Sequence, residues 1–133
     1  LTTKLFAAAI LALVPVGTAS AENWRSSSRD SQATAYIDVD SIRRDGNRVS
    51  FWRELRWPQI RSLGDGRRFN RLGSLYEEDC AAMTLRSITI RASLDERVIL
   101  TGEGSRELEQ ARPGTTAATD LRSVCFGEWP AAR

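Results

Sequence analysis

Histidine is absent from the sequence. With it go the usual general base at neutral pH, the Ser-His and Cys-His nucleophile pairs, and the commonest metal ligand. Lysine occurs once, at Lys4, near the very start of the chain, so the body of the protein has none for Schiff-base or phosphate chemistry. Only two cysteines are present, Cys80 and Cys125, too few for a thiolate metal site. Glycine-rich phosphate loops are missing too: Gly102-Glu103-Gly104-Ser105 lacks the later glycines of a dinucleotide fingerprint and the lysine of a P-loop. No cofactor and no metal is called for by this composition, and catalysis is not expected from it.

What is present begins with a leader. Residues 1–21 carry one basic residue (Lys4), an apolar run from Leu5 to Val16, and Ala19-Ser20-Ala21 ahead of Glu22, the pattern of a secretory signal peptide with an A-x-A cleavage site. The run is shorter than the roughly 18 to 20 residues a membrane-spanning helix needs, and Pro15 and Gly17 interrupt it. After cleavage no stretch is suited to crossing a membrane. Residues 22–133 then form one domain of 112 residues. Losing Lys4 leaves 18 basic residues, all arginine, against 17 acidic ones, and this near-neutral balance argues against a nucleic-acid binder. In an exported chain two cysteines are expected to pair; the alternative is two free buried thiols. A Cys80 to Cys125 bond would close a loop of 45 residues, worth on the order of 4 kcal/mol in the chain-entropy model.

The pattern along the chain is chiefly that of β-strands. A short edge strand is expected around Trp24. Strict alternation follows, with Ala33, Ala35, Ile37 and Val39 on one face and Thr34, Tyr36, Asp38 and Asp40 on the other. Asp45-Gly46 marks a turn into a second arm, Arg48 to Trp57, where Val49, Phe51, Leu55 and Trp57 share a face and Ser50, Trp52, Glu54 and Arg56 share the other. Arg53 interrupts the apolar face, so the far end of this arm is expected to leave the core, and Pro58 to stop the ladder. Gln59 to Gly73 reads as a long exposed connection, and Ser74 to Ser93 as a central strand with a β-bulge near Arg86 and Ser87, where the apolar phase shifts. Leu94-Asp95-Glu96 turns into a last strand, Arg97 to Thr101; Ser105 to Ala111 suits a helical turn or two. From Thr115 the spacing becomes helical, with Ala117, Ala118, Leu121, Val124 and Cys125 on one stripe, Gly114 or Thr115 as cap and Gly127 as stop. The fold class is α+β: an antiparallel β-sheet of about five to six strands packed with a C-terminal α-helix in two layers, with one disulfide.

Three groups of residues bear on function. Asp38 and Asp40 share a strand face as a metal or acid/base pair does, but Asp40 or Ser41 also suits the capping of a turn. Glu77, Glu78 and Asp79 stand at the wet entrance of the central strand, and read as counter-charge for the arginines just upstream. Those arginines, within Arg53 to Arg71, are the sharper candidate: Arg53, Arg56, Arg61, Arg67, Arg68 and Arg71, interleaved with Trp57 and Phe69. Arginines beside aromatics can recognise anionic macromolecules such as sulfated glycans or acidic protein surfaces. The plainer alternative is a solvated connection whose arginines only pair with nearby acids.

Tyr36-Ile37-Asp38, Ser41 to Asn47 (SIRRDGN), Phe51-Trp52, Tyr76, Asp79-Cys80, Arg86 and Val124-Cys125 occur in an order that resembles the surface-adhesin protein E family, over roughly Trp24 to Phe126. The resemblance implies a mostly antiparallel sheet packed with helix, a Cys80 to Cys125 disulfide, and export to the periplasm or cell surface. It also implies adhesion, with host extracellular-matrix proteins or other envelope proteins as partners. A homodimer stays open. The alternative is a soluble periplasmic envelope protein with an interaction or stress-related role and no host target.

Overall fold

The computed structural model describes residues 22–131; the leader expected over residues 1–21 lies outside them. Eight strands among the described residues form one antiparallel sheet: β1 (Trp24–Arg29), β2 (Thr34–Asp38), β3 (Arg43–Asp45), β4 (Arg48–Ser62), β5 (Arg68–Asp79), β6 (Thr84–Leu94), β7 (Arg97–Glu103) and β8 (Glu109–Gln110). Six of them run in the order β1-β2-β4-β5-β6-β7, while β3 pairs with β4 and β8 with β6. One α-helix among the described residues, α1 (Thr116–Phe126), covers one face. The expected α+β architecture with its C-terminal helix is therefore what forms, and no helix among the described residues is long and apolar enough to cross a membrane.

Alternation builds the core. Ile37, Val49 and Phe51 lie on the inner face of the sheet and meet Ala118, Leu121 and Val124 of α1, with Leu85 and Ala111 closing the side. Ile37, Phe51 and Leu121 are fully buried, and each contributes about 1.5–3 kcal/mol by leaving water. The helix is held at both ends as its sequence implies. Thr115 accepts a hydrogen bond from the Ala118 N–H, and Gly127 takes the left-handed conformation that ends α1. Cys80, just past β5, is bonded to Cys125 in the last turn of α1, so the expected disulfide fastens helix to sheet.

Several strand limits differ from the reading of the sequence. Pro58 does not stop the ladder: β4 continues to Ser62, and the proline sits where the β4/β5 register shifts between Arg56 and Arg61, so no ladder hydrogen bond is asked of it. Gln59 to Gly73 is accordingly not a long connection. The chain turns tightly over residues 63–67, with Leu63 and Arg67 exchanging a backbone bond and Gly66 at φ 87°, and returns as β5. Ser74 to Ser93 is not one strand. The Asp79 carboxylate accepts the N–H groups of Ala81 and Ala82, forming a turn that separates β5 from β6. The bulge is present, one residue from where it is expected, with Ile88 left between the pairs Tyr76–Ser87 and Leu75–Thr89. Ser105 to Ala111 is irregular rather than helical, with Arg106 at φ 59° and only Glu109 and Gln110 forming a strand, paired with Leu85 and Thr84 of β6.

The bulged segment fixes one glycine. A Cβ on Gly104 would lie 2.3 Å from the Ser87 carbonyl oxygen and 2.5 Å from its carbon, both main-chain atoms that cannot swing aside. Gly104→Ala is therefore expected to cost roughly 3 kcal/mol, seen as a lower denaturant midpoint. Gly64→Ala, where the added carbon meets nothing within 4 Å, is expected to leave the midpoint within about 0.5 kcal/mol.

Candidate interaction surface

The face of the sheet opposite α1 carries Trp24, Tyr36, Trp52, Trp57 and Phe69 together with Arg56, Arg61, Arg71 and Arg91. Cross-strand pairing sets them in rows. Tyr36, Glu54, Gly73 and Arg91 stand side by side on β2, β4, β5 and β6, with Arg56 and Arg71 paired in the next row and Trp52 opposite Leu75 in the row before. Two like charges directly opposite each other are unfavourable. Glu54 relieves the Arg56–Arg71 pair: its Oε1 accepts from Arg56 Nε at 2.7 Å and lies 3.8 Å from Arg71 Nη1. The price is a carboxylate only 5 % exposed, which its two guanidiniums make tolerable.

Stacking orders the remaining cations. The Arg56 guanidinium lies 4.2 Å from the Tyr36 ring centre and 5.4 Å from that of Trp24. Arg91 lies over Trp52 at 4.5 Å, and Arg61 over Trp57 at 4.8 Å. Trp57 in turn packs edge-on against the buried Phe69 across the hairpin. Each contact holds a charged group still while leaving part of it in water. The result is a sheet face with ordered, partly exposed guanidiniums.

Of the residues singled out in the sequence, Arg56, Trp57, Arg61, Phe69 and Arg71 come together here. Arg53 does not. It projects from the inner face, where its Nε donates to Asp120 Oδ2 of α1, and beyond it β4 leaves the core as expected, with residues 58–62 exposed. Arg67 is at the hairpin tip, paired with Asp65 at 2.6 Å and donating to the Ile99 carbonyl. Its hydrogen bonds hold the Asp65 carboxyl below the usual range, and Asp65 raises the Arg67 guanidinium in turn. Arg68, opposite Ser62, alternates away from Phe69.

The acidic residues have other uses than the expected one. Glu77 and Asp79 do not neutralise the arginines of the hairpin; they line a cleft of about 490 Å³ at the opposite end of β4 and β5, together with Arg43, Arg48 and Arg86. Glu78 turns into the core. Burial, and then the Asp120 carboxylate, push its pKa up to about 9 against a smaller opposing effect of Arg53, and its Oε2 has no hydrogen-bond partner. Asp38 serves the backbone: Oδ1 accepts from the Asn23 and Asp40 N–H groups, while Ser41 Oγ donates to the Asp38 carbonyl and accepts from the Trp52 N–H. The capping residue is thus Asp38 with Ser41. Among the described residues no group of three or more acidic or cysteine side chains is arranged to hold a metal.

Trp24, Tyr36, Trp52, Glu54 and Arg91 belong to the surface but are not among the binding candidates read from the sequence. The available signal was aromatic residues at polar-face positions: Tyr36 and Trp52 alternate with the apolar residues that go to the core, so a ring there needs another partner.

Residues 24–126 match the family described as surface-adhesin protein E. No curated protein sequence matches the chain. Among solved structures, two of Haemophilus influenzae protein E are similar in fold. One, in crystal form II, gives a TM-score of 0.60 at 15% identity, covering 80% of this chain and 96% of that one. The other gives 0.56 at 14% identity, covering 80% and 92%.

Proposed function

The chain belongs to the surface-adhesin protein E family, and from that premise we propose that it is an exported, non-catalytic binding domain whose arginine and aromatic sheet face grips acidic surfaces of host extracellular-matrix proteins. The carrying observation is that Arg56, Arg61 and Arg91 are each stacked on a Trp or Tyr ring. A cation already ordered in the free protein loses little rotamer freedom when it meets an anionic partner. Trp, Tyr and Arg are also the residue types that dominate binding energy at protein interfaces. Export rests on the leader at residues 1–21 and fits the disulfide, which persists in an oxidising compartment.

The test is retention on immobilised matrix proteins at two salt concentrations, comparing the wild-type chain with an Arg61→Ser, Arg71→Ser variant. A loss of about tenfold or more, larger at low salt, is expected from removing two ordered cations. Equal retention would overturn the reading. Protease treatment of intact cells asks the separate question of display: a fully shielded protein is not an adhesin.

A further inference from the structure

One corner of this face already holds a carboxylate. Glu22 Oε2 accepts from the Trp24 indole N–H at 2.8 Å, and its Oε1 lies 3.6 Å from Arg91 Nη2. Each oxygen thus has its own donor. The donors are set in place by the fold. Trp24 lies in β1, and Arg91 crosses from β6 over β5 to stack on Trp52 of β4. It crosses where β5 has no side chain: a Cβ on Gly73 would come within 3.6 Å of Arg91 Nε.

The two carboxylates on the face differ in kind. The Glu54 side chain is 6 % exposed and is locked between Arg56 and Arg71, so it cannot leave without stranding two cations. The Glu22 side chain is 51 % exposed, and its pair with Arg91 is long. Exposed pairs of this kind contribute little to stability and exchange readily.

We propose that Arg91 and Trp24 form a carboxylate subsite, filled in the free chain by Glu22, which an Asp or Glu side chain of an acidic protein segment displaces on binding. This deepens the proposed function and rests on it. Glu22 then acts as a built-in competitor: its single, half-exposed carboxylate holds the subsite weakly, and a partner must supply a carboxylate of its own to displace it. A guanidinium and an indole N–H facing two oxygens of one planar group suit a carboxylate, and the group seen there is one.

A labelled hexaglutamate peptide and a heparin oligosaccharide serve as probes, titrated into the exported chain at low salt. Glu22→Gln is expected to tighten hexaglutamate three- to tenfold, and Arg91→Ser to weaken it at least tenfold. Trp24→Phe, which keeps the ring and removes the N–H, is expected to weaken it two- to fivefold. Unchanged hexaglutamate affinity in Glu22→Gln would overturn the subsite, as would a gain for heparin alone. If those variants behave as wild type while Arg61→Ser, Arg71→Ser loses binding, the face stands and the subsite falls. If no form binds either probe, both fall.

Discussion

Replacing Glu78 with Gln is expected to flatten the dependence of stability on pH between pH 5 and pH 8. In the folded chain Glu78 keeps its proton to about pH 9, because burial disfavours its charged form and Asp120 lies nearby. Unfolded, it ionises near 4.5. Between those values the folded state binds one more proton than the unfolded state, so raising the pH favours unfolding. The stability is fully present below the unfolded value and is lost as pH climbs towards 9. The slope is at most about 1.4 kcal/mol per pH unit, or on the order of 4 kcal/mol from pH 5 to pH 8. The absence of histidine makes this readable: with both cysteines in the disulfide, the side chains that ordinarily titrate in that window are missing. Denaturant midpoints at pH 5, 6, 7 and 8 should fall steadily in the wild-type chain and stay level in Glu78→Gln. Parallel slopes would mean that Glu78 is ionised when folded. The slope, rather than the offset, is the measure, since the Gln amide adds donors that the site must satisfy.

The second large effect is expected from the disulfide. A Cys80→Ala, Cys125→Ala variant should lose about 4 kcal/mol, since the bond closes a separation of 45 residues. The loss should be felt first in α1. Eleven residues are too few to stay helical unaided, and the helix ends otherwise rest on a Thr115 cap, a Gly127 stop and the Arg44 guanidinium, which donates to the Cys125 carbonyl at 2.6 Å. Hydrogen exchange across residues 116–126 should speed up in the variant more than exchange in β4 and β5. Reductant should lower the wild-type midpoint and leave the variant unmoved. Equal midpoints for the two proteins would show that the inner core alone holds α1 to the sheet.

Local signals wrote much of this fold. The alternation of Ile37 with Asp38 and of Val49 and Phe51 with Ser50 and Trp52 marks the buried face directly, and Thr115 and Gly127 mark the helix ends. Pairing between distant segments did not show. Arg53 looks like the end of an apolar face until its partner is known, and Asp120 lies 67 residues away on the buried side of a helix. The strand ends that flank the turn at residues 63–67 have poor strand-forming composition, and it is contacts across the hairpin that no local pattern shows, Trp57 on Phe69 and the pairs Arg61–Phe69 and Ser62–Arg68, that join them. The interaction surface was half legible. Its arginines stand out by type, but which of them face one way depends on a register shift between Arg56 and Arg61 that no local pattern announces. Arg91 matters through Trp52 on β4, and Glu54 through Arg71 on β5 as well as Arg56 on its own strand.

The Cys80–Cys125 bond also decides how the molecule carries tension. Its sulfurs join the end of β5 to the last turn of α1, so a pull between the chain beyond Gly127 and the β4–β5 hairpin runs through the bond and passes by the segment between the two cysteines. That segment, β6 to α1, cannot be drawn out while the bond is closed. Reduction would release a hidden length of about 150 Å of extended chain. For a protein held at one end and gripped at the hairpin, the redox state of one pair of sulfurs separates a short stiff tether from a long compliant one.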